Sequence, residues 1–157
     1  MFRMIARTMV SRIATALIDL VVIALTSLAL VELLRDIARP SHTEAKDIIL
    51  DISVIMIGWG VALEERGAVR EVFKLQGGND DAWQHQIDEK CHGVGVMLLL
   101  FGLFSEIFVQ MAALPKTVIS TEPIADGLLA IGAAFLAGGL IILVRHVWVL
   151  LMMRPGR

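Results

Sequence analysis

Cysteine occurs once in these 157 residues, at Cys91, so the chain can close no internal disulfide and carries no CxxC redox pair. No Gly-rich loop runs into Lys-Ser or Lys-Thr, no nucleophile elbow is present, and no His-Glu-x-x-His occurs, so phosphate-loop, α/β-hydrolase and zincin chemistry have no anchor here. Lys and Arg form no basic block interleaved with aromatics, which leaves nucleic acid without a surface to bind. Proline is scarce, and Pro40, Pro115 and Pro123 fall in short connections, where they act as breakers.

What fills the chain instead is apolar. Hydrophobic residues make up 57% and the mean hydropathy is +0.75, well beyond a soluble domain. Runs near 13–34, 48–64, 92–114 and 124–153 predict an all-α membrane protein, a four-transmembrane-helix bundle forming one domain, with the lipid bilayer as its first partner. The second run is marginal, because Asp51 interrupts it and Glu64-Glu65 end it. The first run follows Arg3, Arg7 and Arg12 as a secretory signal would, but its length, Asp19 and the lack of a small-x-small cleavage site predict a retained helix.

Orientation follows from basic residues. Nine (Arg3, Arg7, Arg12, Arg66, Arg70, Lys74, Lys90, Arg154, Arg157) fall on the side of the first terminus, and four (Arg35, Arg39, Lys46, Lys116) on the other. Both termini are therefore expected in the cytoplasm, with the chain in the inner membrane. Between the second and third spans, good helix formers, a Gly77-Gly78 stop and a new N-cap at Asn79 or Asp80 predict a cytoplasmic helical hairpin over 65–91. Pairing about the glycines sets residue 65 opposite residue 90.

Ionisable groups inside the spans are expensive and mark function by default. Asp19, Asp51, Glu106, Gln110 and Asp126 are the candidates for an ion pathway, with Glu106 near mid-membrane. At about 100° per residue, Ser11, Thr15, Asp19 and Thr26 share one stripe, Asp47, Asp51, Gly58 and Glu65 another, and His92, Gly95, Gly102, Glu106 and Gln110 a third. Asp126 also suits plain helix-end stabilisation. Arg145 is the expected ion-pair partner of Asp19, whereas His146 is read as a packing residue on the Gly132–Gly139 stripe.

Glu89-Lys90-Cys91-His92 places a carboxylate and an imidazole on one helix face. With Glu65 from the paired helix it forms a candidate site for a divalent metal, to which Cys91 is dispensable; an interfacial charge network is the plain alternative. Two function classes emerge: an oligomeric proton or cation channel or transporter, and an accessory or assembly subunit of a larger membrane complex. A metal-binding membrane protein ranks third, and no catalytic motif supports an enzyme.

Overall fold

The computed structural model describes residues 11–37, 42–73, 81–113 and 124–152. Those residues form five helices and no strand: α1 (Arg12–Ile37), α2 (His42–Glu64), α3 (Arg66–Val72), α4 (Asp81–Ala112) and α5 (Ala125–Met152). Helix α1 begins where Ser11 caps it, its Oγ accepting from the Ala14 N–H at 3.1 Å, which satisfies one of the free amides of the first turn. α1, α4 and α5 are each long and apolar enough to cross a membrane.

Helix α2 does not meet that standard, and the reason is local. Its uninterrupted helix is 23 residues long, but Asp47, Asp51 and Glu64 leave only a short apolar stretch between charges. The expected fourth crossing is thus not established by length and composition. Its packing is nonetheless intimate: α2 lies along α4 more extensively than any other pair of helices. Glycine permits this. A Cβ on Gly60 would come within 2.7 Å of the Gly95 carbonyl, and one on Gly95 within 2.6 Å of the Gly60 carbonyl, so the two backbones touch where neither residue has a side chain.

Direction follows from the residues that meet. Gly60 and Ser53 on α2 face Gly95 and Gly102 on α4, Ser105 on α4 donates to the Gly132 carbonyl on α5 at 2.9 Å, and Asp19 near the start of α1 meets His146 near the end of α5. Successive long helices therefore run antiparallel. One end of the molecule collects the start of α1, the end of α2, α3, the start of α4 and the end of α5; it carries Arg12, Arg66, Arg70 and Lys90 and is called the basic end below.

Two apolar clusters fill the interior. One, around Ile49, Met56, Val109 and Leu136, occupies the half away from the basic end. The other, around Leu63, Ile87, Cys91, Leu98 and Leu143, occupies the basic half.

At the basic end α2 stops at Glu64, and Glu65 forms a turn before α3. The backbone barely breaks, since the Glu65 N–H still donates to the Val61 carbonyl and the Val69 N–H to the Glu65 carbonyl. α3 is thus a short continuation of α2 that leans on α4. The Gly77-Gly78 turn expected to close the hairpin lies outside the described residues. Helix α4 is 32 residues long, about 48 Å, against a hydrocarbon core of about 30 Å. It is thus longer than a single crossing requires.

Candidate functional site

Asp19 is the centre of the site. It is 0% exposed, on a stripe of α1 on which Thr15 and Thr26 are also buried, so α1 turns this carboxylate inward. Its Oδ1 accepts from the Trp59 indole Nε1–H at 2.7 Å, from α2. Its Oδ2 lies 2.9 Å from His146 Nδ1, from α5, an ion-pair contact that lacks the alignment of a regular hydrogen bond. Three helices thus converge on one carboxylate.

The polar contacts continue from His146. Its Nε2 stands 3.7 Å from Cys91 Sγ on α4, and Cys91 is itself 0% exposed. Arg66, the first residue of α3, donates to the same Sγ from Nη1 at 3.2 Å and lies 3.5 Å from Asp88. Arg70, one turn further along α3, also pairs with Asp88. Arg70 and Asp88 in turn line a cleft of about 580 Å³ shared with Glu64, Glu71, His85, Glu89 and His92. A run of side chains therefore reaches from Trp59 and Asp19 inside the bundle, through His146, Cys91 and Arg66, to an open cleft at the basic end.

Chemically the order matters. An ionised Asp19 can accept from both Trp59 and His146 Nδ1–H, and that tautomer leaves His146 Nε2 as an acceptor for the Cys91 S–H. Arg66 only donates, so it faces a lone pair of sulfur. Donors and acceptors thus alternate along the series, although Asp19 Oδ2 and His146 Nδ1 meet as an ion-pair contact without hydrogen-bond alignment.

The residues proposed from sequence are distributed unevenly around this site. Asp19 is in it. Arg145, its expected partner, is exposed on α5, and the carboxylate is held by the next residue, His146, together with Trp59. Asp51 is exposed on the outer side of α2, together with Asp47, Gly58 and Glu65 of its stripe. Glu106 is half-buried on α4, while Gln110 and Asp126 are exposed. Glu106 follows Ser105, which touches Gly132; that level is fourteen residues from His146 on α5, about 21 Å along the axis. The structure therefore does not gather Asp51, Glu106, Gln110 and Asp126 around Asp19.

The metal arrangement is also revised. Glu65 is exposed in the turn, and it is Arg66 and Arg70 that face α4. Glu89 and His92 line the cleft with Glu64 rather than Glu65. Among the described residues, no three His, Cys, Asp or Glu side chains converge so as to hold a metal ion.

Cys91 and His146 were the residues that sequence reasoning set aside. A signal for Cys91 is present: Ile87, Cys91, Leu98, Ser105, Val109 and Ala112 recur at spacings of three, four and seven and are all buried, a stripe that marks the core face of α4. The Gly132, Gly139 and His146 stripe is likewise the inward face of α5. The chain matches no protein-family model, no curated protein and no solved structure.

Proposed function

We propose that this chain is a proton-handling membrane protein in which the Asp19–His146 pair is a one-sided proton port, loaded from the basic end, with that end in the cytoplasm and α2 serving as a fourth crossing. The observation that carries this reading is the pair itself: a carboxylate and an imidazole, both almost fully buried in apolar helices, 2.9 Å apart. Burying such a pair is costly, and replacement by apolar packing is often neutral or favourable, so its presence within a span points to use.

The connections favour a port over an open wire. Toward the basic end, Asp19, His146 and Cys91 can each both give and take a proton; Arg66, which only donates, stands between Cys91 and the cleft, so loading from that end requires water from the cleft to reach Cys91 past Arg66. In the other direction the series meets the Trp59 indole, which donates only. The next buried polar group on α1 is Thr26, two turns on, about 10 Å away, too far for a direct hop. A proton reaching Asp19 from inside thus leaves by the same way, or by a rearrangement that moves Trp59. Of the sequence candidates Asp19, Asp51, Glu106, Gln110 and Asp126, this reading rests on Asp19 and adds His146 as its partner.

The test is flux. Purified protein in vesicles with a trapped pH-sensitive dye should dissipate an imposed proton gradient, and Asp19→Asn and His146→Gln should each abolish that activity while retaining insertion. No proton movement under any gradient would overturn the proposal. A second reading, a subunit of a larger membrane assembly or a homo-oligomer, is favoured by the exposed Asp47–Asp51–Gly58 stripe of α2, since a carboxylate turned away from its own bundle calls for a donor from elsewhere. Native mass measurement in mild detergent separates the two.

A further inference from the structure

We propose that the outer groove between α4 and α5, at the basic end, binds an anionic phospholipid whose headgroup phosphate sits between Lys90 and Arg145. Register brings these two cations together. Cys91 on α4 and His146 on α5 face each other inside the bundle, with Sγ and Nε2 3.7 Å apart. Stepping back one residue turns each helix by about 100°, and because the two helices run antiparallel, those turns carry Lys90 and Arg145 to the same outer side. Heptad spacing continues both stripes along the groove. Seven residues before Arg145, Gly138 packs against the Phe101 ring, 3.2 Å from where its Cβ would stand; fourteen residues after Lys90, Phe104 stacks on Phe135 with ring centroids 5.5 Å apart.

The occupant follows from charge and surroundings. Lys90 and Arg145 are both exposed, and neither has an ion-pair partner among the described residues. The nearby acids are engaged elsewhere: Asp88 is held by Arg66 and Arg70, and Glu89 lines the cleft toward α3. Since α4 and α5 are each long and apolar enough to cross a membrane, their outer groove meets lipid. Met97 and Phe104 on α4 and Ile141 and Trp148 on α5 are exposed beside the cations and offer acyl chains an apolar wall. Arg145 lies seven residues before Met152, about 10 Å along the axis, a depth from which its guanidinium snorkels to the headgroups. Two cations at that level complement one phosphodiester, as basic sites between membrane helices do for anionic headgroups.

This site depends on α4 and α5 lying in the bilayer and not on the proton port, so either can fail without the other. Trp148, three residues from Arg145, supplies the readout. Full-length protein is reconstituted in vesicles of phosphatidylcholine and phosphatidylglycerol in which one lipid or the other carries brominated acyl chains, and tryptophan quenching reports which of them lies in the groove. Brominated phosphatidylglycerol should quench more strongly than brominated phosphatidylcholine at equal mole fraction. Lys90→Gln and Arg145→Gln should each weaken that preference by about fivefold, the worth of one cation near anionic headgroups, and the double variant should abolish it. Arg145→Lys, which keeps the charge, should retain the preference, as should Arg35→Gln at the opposite end. Equal quenching by the two lipids in the native chain would overturn the proposal, and that comparison needs no variant. A preference that survives in the double variant, or one lost equally in Arg35→Gln, would also overturn it, because the attraction would then not be seated in this groove.

Discussion

Trp59 gives Asp19 its second donor, and that single bond decides how rigidly the carboxylate is held. In Trp59→Phe a smaller aromatic ring remains but the N–H is lost, leaving Oδ1 without the donor it has at 2.7 Å. An unsatisfied buried acceptor costs about 1–3 kcal/mol, so the variant should unfold earlier by about that amount when thermal denaturation is followed by circular dichroism in detergent. Arg145→Gln provides the contrast. Its side chain is exposed and outside the site, so its effect should stay within about 0.5 kcal/mol; a larger loss than that of Trp59→Phe would restore Arg145 as the partner of Asp19. Sequence periodicity sufficed to turn Asp19 inward, because Thr15 and Thr26 share its stripe. It could not choose between Arg145 and His146, which are adjacent on one helix and differ by about 100° of rotation. Only the packing of α5 against α4 and α1 settles which of the two enters.

The elements are held by close backbone approach as much as by apolar side chains. Gly60 and Gly95 sit where α2 and α4 touch, and a methyl group on either meets backbone atoms at 2.6–2.7 Å. Backbone cannot step aside as a side chain can, so Gly60→Ala or Gly95→Ala should force the helices apart and destabilise by about 1–3 kcal/mol. Gly58 and Gly93 lie on the same two helices with nothing within 4 Å. Alanine there should be neutral or stabilise by up to about 1 kcal/mol through helix propensity, and equal losses at all four positions would refute this account of the interface. At this scale the sequence was legible for α1, α4 and α5, whose lengths and apolar content exceed what a span requires. It was ambiguous for α2, whose charges count against a span by composition although its inner face of Ile49, Met56 and Leu63 is fully core. The helices on either side of the expected hairpin, α3 and the start of α4, were readable, while its Gly77-Gly78 stop lies outside the described residues. The face of α3 that meets α4 continues the core stripe of α2, with Arg66 and Arg70 three and seven residues after Leu63 and the backbone ladder running through Glu65; two arginines on a core stripe are what hid it from a reading by apolar periodicity.

For the whole molecule the antiparallel order makes a prediction about which sides of the bilayer its ends occupy. The antiparallel order places the end of α1 opposite the basic end, and α2 returns to it. If α2 crosses, Arg35→Cys and Phe73→Cys, each introduced with Cys91→Ser, should react with a membrane-impermeant thiol reagent from opposite faces of sealed vesicles. Position 73 should be the cytoplasmic one. Labelling of both from a single side would remove the fourth crossing and make α2 a helix held against the protein at the membrane surface.

The contact between Trp59 and Asp19 also gives the molecule an optical reporter. Indole emission responds to the charge and hydrogen bonding of its surroundings, and the Trp59 N–H points straight at the carboxylate. Of the three tryptophans, Trp148 is 63% exposed and Trp83 lies beyond the site, near the start of α4. Neutralising the charge on Asp19 changes the electric field across one ring far more than across the other two, so the occupancy of the carboxylate is written into the protein's own fluorescence without any attached dye.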